Sequence, residues 1–161
     1  MFAQLDTKSV YSFMDSVVDL NTYVKRAKEL GYQSIGLMDR DNLYAAYHFA
    51  QLAIRNGLRP LIGIEANLFY EGRKIAFRLL AKNNQGYKNL MKLATELSSG
   101  QREFTSFSDY LNDIALILPS EDWESGMNLG SEVFIGVKPE DVGKEFDYPV
   151  IPLHTVRYFD N

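Results

Sequence analysis

Two short apolar runs separated by a helical pattern constrain this chain more than any other feature. The first run covers residues 34–38 and the second covers residues 60–66. Between them apolar residues recur at helical spacing until Gly57, with Asp41 or Asn42 as the expected N-cap. A strand, a helix and a second strand in this order indicate a βαβ unit with parallel strands.

The same alternation continues along most of the chain. Residues 74–80 alternate between apolar and other side chains after a Glu71-Gly72 turn, which predicts an antiparallel hairpin with the strand before it. Two more helices are predicted, one after Asp19 that ends at Gly31, and one after Asn83 or Asn84. Further strands are predicted at residues 2–7, 114–118, 133–137 and 149–153. This order indicates an α/β fold with a mainly parallel sheet.

Helical spacing also predicts which side chains face the core. We expect these to be Leu20, Val24, Ala27 and Leu30 in the first helix, Leu43, Ala46, Tyr47, Ala50, Ala53 and Ile54 in the second, and Tyr87, Leu90, Met91, Ala94 and Leu97 in the third. Trp123 falls in a loop-rich segment, where we expect it to contribute packing. A strand at the end of the chain would need a covering helix, so we expect these 161 residues to be the N-terminal part of a longer protein.

Composition excludes several classes of protein. The chain has no cysteine, which excludes disulfides, thiolate metal sites and cysteine nucleophiles. No signal peptide and no membrane-length apolar run occurs, so we expect a cytoplasmic protein without membrane contact. The net charge is −4 and the basic residues are scattered, which argues against a domain that grips DNA phosphates itself.

Several candidate ligands lie where predicted strands end. Asp6, Asp39, Glu65 and His154 are at such ends, and Asp15 follows in the loop after the first strand. If the sheet forms a barrel, these side chains converge on one face and could hold divalent metals that activate water. Each carboxylate could equally cap a helix or pair with a nearby cation. The residues alone leave both interpretations open.

Three basic residues, Lys8, Arg40 and Arg157, also lie near this predicted face. They could bind a phosphate or a carboxylate, or they could take the place of a metal beside the acidic residues. A buried group of carboxylates without compensating charge is costly, which makes the second interpretation physically attractive. His48 lies in the middle of a helix, so His154 is the one histidine at a strand end, and a multi-zinc centre needs more imidazoles than that.

Four segments in order carry a resemblance to a known family. They are residues 23–31, 35–42, 57–65 and 79–90, and a weaker match returns at residues 151–159. These segments resemble the PHP (polymerase and histidinol phosphatase) domain, in the form that begins the alpha subunits of bacterial replicative polymerases. The resemblance implies a distorted (β/α)7 TIM-like barrel, here incomplete at its C-terminus, with a metal centre at the strand ends.

Most positions at which the family carries metal ligands hold other residues in this chain. The resemblance aligns Asp6 and Lys8 with the family's His-x-His pair. It aligns Arg40 with the histidine of Thr-Asp-His-Gly-Asn, and Ala76 with a further histidine. Lysine and arginine cannot share a coordination sphere with divalent metals without strong repulsion. The resemblance therefore implies a degenerate site.

Of the four remaining ligand positions, two keep an acidic residue and two hold a residue that is not a metal ligand of the family. Asp15 and Glu65 match the family's acidic residues, whereas Thr155 and Arg157 stand at the Asp and His of its late motif. We expect no metal and no catalytic residue, with a network of ion pairs replacing the metals. We therefore expect the retained carboxylates, Asp15 and Glu65, to pair with these cations.

Two functions follow from the resemblance. The first is a non-catalytic structural module of a polymerase III alpha subunit, whose full-length parent would perform template-directed DNA synthesis. Its partners would be the remaining domains of that chain and replisome subunits, with DNA bound by the parent. The alternative is a metal-dependent 3′–5′ exonuclease or phosphoesterase that holds Zn²⁺, Mn²⁺ or Mg²⁺ with Asp6, Asp15, Glu65 and His154. A free-standing degenerate PHP protein with a ligand of its own is a third possibility.

Overall fold

The computed structural model describes residues 3–12, 16–130 and 132–157. Nine strands and three α-helices are formed by these residues: β1 (Ala3–Gln4), β2 (Asp6–Thr7), α1 (Leu20–Glu29), β3 (Ser34–Arg40), α2 (Ala46–Arg55), β4 (Arg59–Tyr70), β5 (Arg73–Ala81), α3 (Asn84–Ser98), β6 (Ile114–Pro119), β7 (Val133–Val137), β8 (Val150–Pro152) and β9 (Thr155–Val156). Short 3₁₀ segments cover Phe104–Tyr110, Ser120–Asp122 and Pro139–Asp141. The predicted strands and helices are therefore present.

The strands form a curled sheet of seven in the order β1-β3-β4-β5-β6-β7-β8, and β2 pairs separately with β9. All neighbours are parallel except β5, which runs antiparallel to both β4 and β6. Only Leu5 separates β1 from β2, and a similarly short gap separates β8 from β9. Pairing of β2 with β9 thus links the first strand segment to the last. The predicted α/β fold of a distorted, TIM-like barrel is confirmed.

The β4–β5 hairpin turns at Glu71 and Gly72, as the sequence predicts. Both residues have positive φ, at 49° and 78°. Two such residues in a two-residue turn match the twist of the flanking strands and fix their register. Tyr70 therefore lies opposite Arg73, and the pairing continues up the hairpin without a bulge.

The N-caps predicted from the sequence are confirmed for two of the three α-helices. Asp19 caps α1 through the Thr22 amide, and Asn83 caps α3 through the Gly86 amide. The prediction that Asp41 or Asn42 caps α2 is wrong, because this helix begins after Ala45 without a side-chain cap. The Asp41 carboxylate is held elsewhere, by an ion pair of 2.7 Å to Arg102 and by the Asn67 amide at 3.2 Å.

Some side chains predicted to face the core are exposed. They are Leu30 at the C-terminal end of α1, Tyr47 and Ile54 in α2, and Met91 in α3. α2 instead packs on the sheet with Ala46, Phe49 and Ala53, so the helix is rotated relative to the prediction. Phe49 sets this rotation, because its ring fills the core and stacks on Tyr23 of α1 with ring centroids 5.9 Å apart.

Most of the buried hydrophobic side chains belong to two clusters. One lies between the β4–β6 strands, α3 and the 3₁₀ segment at Phe104–Tyr110, and the other lies beneath α1 and α2. Trp123 packs edge-on against Phe146, with ring centroids 5.2 Å apart, as expected for a packing residue. Among the described residues, no helix has the length and apolar character needed to cross a membrane.

Candidate functional site

Glu65 lies on β4 between basic residues of the two neighbouring strands. The register of the strands places Arg40 of β3 on one side of it and Arg78 of β5 on the other. Directly opposite residues on neighbouring strands share a face and lie close enough for their side chains to meet. The Glu65 carboxylate accepts from Arg40 Nε at 3.0 Å, and its other oxygen lies 3.3 Å from an Arg78 nitrogen.

A second carboxylate, Asp6 of β2, also pairs with Arg78 and with a further cation, Lys8. Lys8 Nζ contacts Asp6 Oδ1 and lies 3.1 Å from Glu65 Oε2, so one ammonium group joins both carboxylates. Arg78 Nε donates to Asp6 Oδ2 at 3.1 Å, and the Thr155 hydroxyl donates to the same oxygen at 2.6 Å. We call Asp6, Lys8, Arg40, Glu65 and Arg78 the ion-pair cluster.

Most of this cluster is removed from water. The side chains of Asp6 and Lys8 are 0% exposed and that of Glu65 is 2% exposed, whereas Arg40 retains 40% exposure. Burial alone would raise the pKa of Asp6, but the charges of Lys8 and Arg78 outweigh it and lower that pKa below 3.8. The balance is the same at Glu65, where burial opposes the two cations and the Arg40 hydrogen bond, and the pKa is lowered below 4.5. Both carboxylates are therefore ionised at neutral pH.

Asp39, another candidate ligand, is used to hold the loop that follows β2. Its carboxylate accepts from the Ser9 amide and the Ser9 hydroxyl, each at 2.6 Å, and from the Ser12 hydroxyl at 2.7 Å. Ser12 Oγ in turn accepts from the Arg40 amide at 3.0 Å. Asp39 thus fixes the segment that carries Lys8 relative to the strand that carries Arg40.

The remaining predicted residues lie in different surroundings. Ala76 is on β5, where its carbonyl accepts from Arg78 Nη1 at 2.7 Å. His154 and Arg157 line a cavity of about 820 Å³ beside Arg78, together with Thr155. The Arg157 carbonyl accepts from the Ser16 hydroxyl at 2.9 Å, while the described ion pairs of Asp6 and Glu65 are made with other cations. Asp15 lies outside the described residues.

Arg78 is the cluster member that the sequence analysis missed. The signal was present in the hairpin, because a two-residue turn at Glu71-Gly72 pairs position 65 with position 78. Arg78 interrupts the apolar run from Ile75 to Ala81 and lies directly opposite the one acidic residue of β4. A cation facing a carboxylate across a predicted hairpin could thus have been identified from the sequence.

The residues of this site do not fit a divalent metal centre. The cations and Thr155 engage both oxygens of Asp6 and both oxygens of Glu65. A metal ion that used these oxygens would have to displace the buried Lys8 ammonium and would face two guanidinium groups at short range. Within the described part of the chain, no three His, Cys, Asp or Glu side chains are grouped so that they could hold a metal ion.

Comparison with known proteins agrees with the resemblance seen in the sequence. The model of the PHP domain family matches residues 4–129, which is most of the chain. The chain belongs to the PHP domain family. The match extends through the region between residues 97 and 129, where the sequence motifs alone gave little guidance.

Relatives and a solved structure add detail to this assignment. The chain is 47% identical over 161 residues to the DNA polymerase III subunit alpha of Streptococcus pyogenes serotype M1, and 32% identical over 111 residues to that of Aquifex aeolicus. These matches cover 99% and 58% of this chain, but only 16% and 10% of the relatives. A Bifidobacterium adolescentis protein assigned to the metal-dependent phosphoesterases shares the fold, with a TM-score of 0.50 and 16% identity over 60% of this chain and 33% of its own.

Proposed function

We propose that this PHP domain is a non-catalytic structural module of a bacterial polymerase III alpha subunit. The observation that carries this proposal is the buried Lys8 ammonium, which bonds to Asp6 and Glu65 at the position where the resemblance implies a metal centre. A protein that relied on metal chemistry would need those carboxylate oxygens as ligands. Here they bind positively charged side chains of the same chain.

The assignment to a polymerase rests on the relatives. Identity of 46–47% extends over 99% of the chain with streptococcal alpha subunits, while the chain spans 16% of their length. We infer that the parent protein performs template-directed DNA synthesis in the cytoplasm, with catalytic residues outside this chain. The remaining domains of the alpha chain are its proposed partners, together with replisome subunits that bind the assembled polymerase.

Metal binding provides the direct test. The 161-residue chain, stripped with a chelator, would be titrated with Zn²⁺ and Mn²⁺ by calorimetry. We expect no stoichiometric binding to the wild-type chain. The matched variant Lys8→His/Arg40→His removes two cations and supplies two imidazoles, which are ligands that these metals accept. A gain of binding in that variant would support the proposal, and stoichiometric binding by the wild type would contradict it.

An activity assay tests the alternative function separately. The wild-type chain would be incubated with Mn²⁺ and either an aryl phosphate ester or a 5′-labelled single-stranded oligonucleotide. We expect no turnover above buffer. A metal-dependent phosphoesterase or 3′–5′ exonuclease activity that disappears in Glu65→Ala would establish the alternative, because that substitution removes the central carboxylate and leaves any contaminating enzyme unchanged.

A further inference from the structure

The outer surface of α2 carries a second apolar stripe that does not contact the core. Tyr47, Ala50 and Ile54 recur at helical spacing on the side opposite Phe49, and Tyr47 and Ile54 are 74% and 61% exposed. A surface helix normally presents polar residues on that side. Contiguous apolar residues at a surface mark an interaction site more often than single ones do.

Tyr47 and Ala50 of this stripe form one wall of a groove between α2 and α3. The groove has a volume of about 300 Å³, with Tyr47 and Ala50 on one side, Tyr87 on the other, and Pro60 and Ile62 of β4 in its floor. Met91, one helical turn after Tyr87, extends the apolar surface of α3 and is 44% exposed. A groove between two helices with an apolar floor is the kind of surface that binds the apolar face of an amphipathic helix.

The groove is basic although the whole chain is acidic. None of the residues that line it is Asp or Glu. Arg59 and Lys82 line the groove, and Arg55 and Lys88 follow its apolar residues in α2 and α3. Lys82 pairs with Glu132 at 2.6 Å, whereas no described residue forms an ion pair with Arg55, Arg59 or Lys88.

We propose that the groove lined by Tyr47, Ala50, Tyr87 and Arg59, with Arg55 at the end of α2 beside it, binds an acidic amphipathic helix of a protein partner. Apolar side chains of the partner would fill the space between the two tyrosines, and its carboxylates would pair with the arginines at the rim. The apolar floor favours a polypeptide over a nucleic acid, because a phosphate backbone needs a continuous strip of cations and gains nothing from Pro60 and Ile62.

The test uses a defined probe and the whole 161-residue chain. The probe is a fluorescent helical peptide of about five turns, with leucines on one face and glutamates beside them. A matched peptide carries lysine at each glutamate position. An oligothymidylate tests whether the chain binds single-stranded nucleic acid instead. Anisotropy titrations at low salt and at roughly 0.3 M salt separate screened from unscreened contributions to binding.

Three variants decide whether binding uses the groove. Arg55→Glu/Arg59→Glu reverses the rim charge, Tyr47→Ala removes an apolar contact, and the control Lys25→Glu/Lys28→Glu makes the same charge change on the exposed side of α1. We expect the acidic peptide alone to bind, and both groove variants to weaken it about tenfold or more, which is about 1.4 kcal/mol. The control should bind as wild type does, and thermal melts would verify that all variants are folded.

Three outcomes would overturn the proposal. The acidic peptide could fail to bind, or the α1 control could weaken binding as much as the groove variants do, which would indicate attraction without a site. Tighter binding of the oligothymidylate, lost in the groove variants, would instead identify a nucleic-acid surface. None of these outcomes depends on the ion-pair cluster, so the proposed non-catalytic role is tested independently.

Discussion

Replacing Lys8 with methionine is the sharpest test of the physical account of the ion-pair cluster. Methionine keeps an unbranched apolar chain but removes the ammonium that joins Asp6 and Glu65. Both carboxylates would then keep arginine contacts, but the 0% exposed centre of the cluster would lose its cation. The free energy of unfolding should fall because buried carboxylates would be left with too little compensating charge.

The magnitude can be bounded from the burial of the pair. Removing one partner of a fully buried ion pair costs about 3–5 kcal/mol. A domain of this kind has a total stability of about 5–15 kcal/mol, so the loss would be a large share of it. With a shift of about 2–4 °C per kcal/mol for domains near this size, we expect Tm to fall by roughly 6–20 °C.

Two comparison variants make this prediction specific. Lys25→Met changes an exposed lysine of α1 and should leave the melting temperature almost unchanged. Arg40→Met removes a cation that is 40% exposed and water-screened, so it should cost about 1 kcal/mol or less. Urea and thermal unfolding followed by circular dichroism would measure all three. A Lys8→Met variant as stable as Lys25→Met would refute the claim that burial makes this ion pair structurally important.

Other perturbations test separate parts of the structure. Urea midpoints should fall as the pH drops below 3.8 and 4.5, the ordinary pKa values of Asp and Glu side chains. The pKa values of Asp6 and Glu65 are lowered in the folded state, so these carboxylates contribute fully to the free energy of unfolding above the ordinary values, and this contribution is lost as they protonate. A urea midpoint that does not change over this pH range would contradict this prediction. Asp39→Ala should cost about 2–4 kcal/mol and speed hydrogen exchange in the loop after β2, since three donors lose their acceptor. Gly36→Ala should destabilise more than Gly57→Ala in the same melts, because its methyl would lie 2.2 Å from a backbone oxygen, whereas Gly57 has open space and only a positive φ; equal losses would argue against that close approach.

Local patterns in the sequence were enough to predict much of the sheet. The turn at Glu71-Gly72 and the alternation after it fixed the hairpin, because positive φ is readily adopted there and a two-residue turn allows one register. The apolar runs at residues 34–38 and 60–66 likewise became adjacent parallel strands. Each of these predictions depended on residues close together in the chain.

The errors arose where packing between distant residues decides the outcome. The apolar residues of α2 cover more than one side of the helix, so spacing alone could not choose between Phe49 and Tyr47 as the core-facing side. Packing against Tyr23 decided it. The N-cap of α2 was missed because the Asp41 carboxylate pairs with Arg102, which lies 61 positions further along the sequence.

The ion-pair cluster also links the strands that meet where the barrel closes. Asp6, Arg40, Glu65 and Arg78 come from β2, β3, β4 and β5, and Thr155 adds β9. The ladder between β2 and β9 contains only two residue pairs, so backbone hydrogen bonds hold this closure weakly. A metal centre would cross-link such strands and make folding depend on the ion. Side-chain cations supply the same cross-links from within the chain. We therefore infer that these charges hold the strands together at this position.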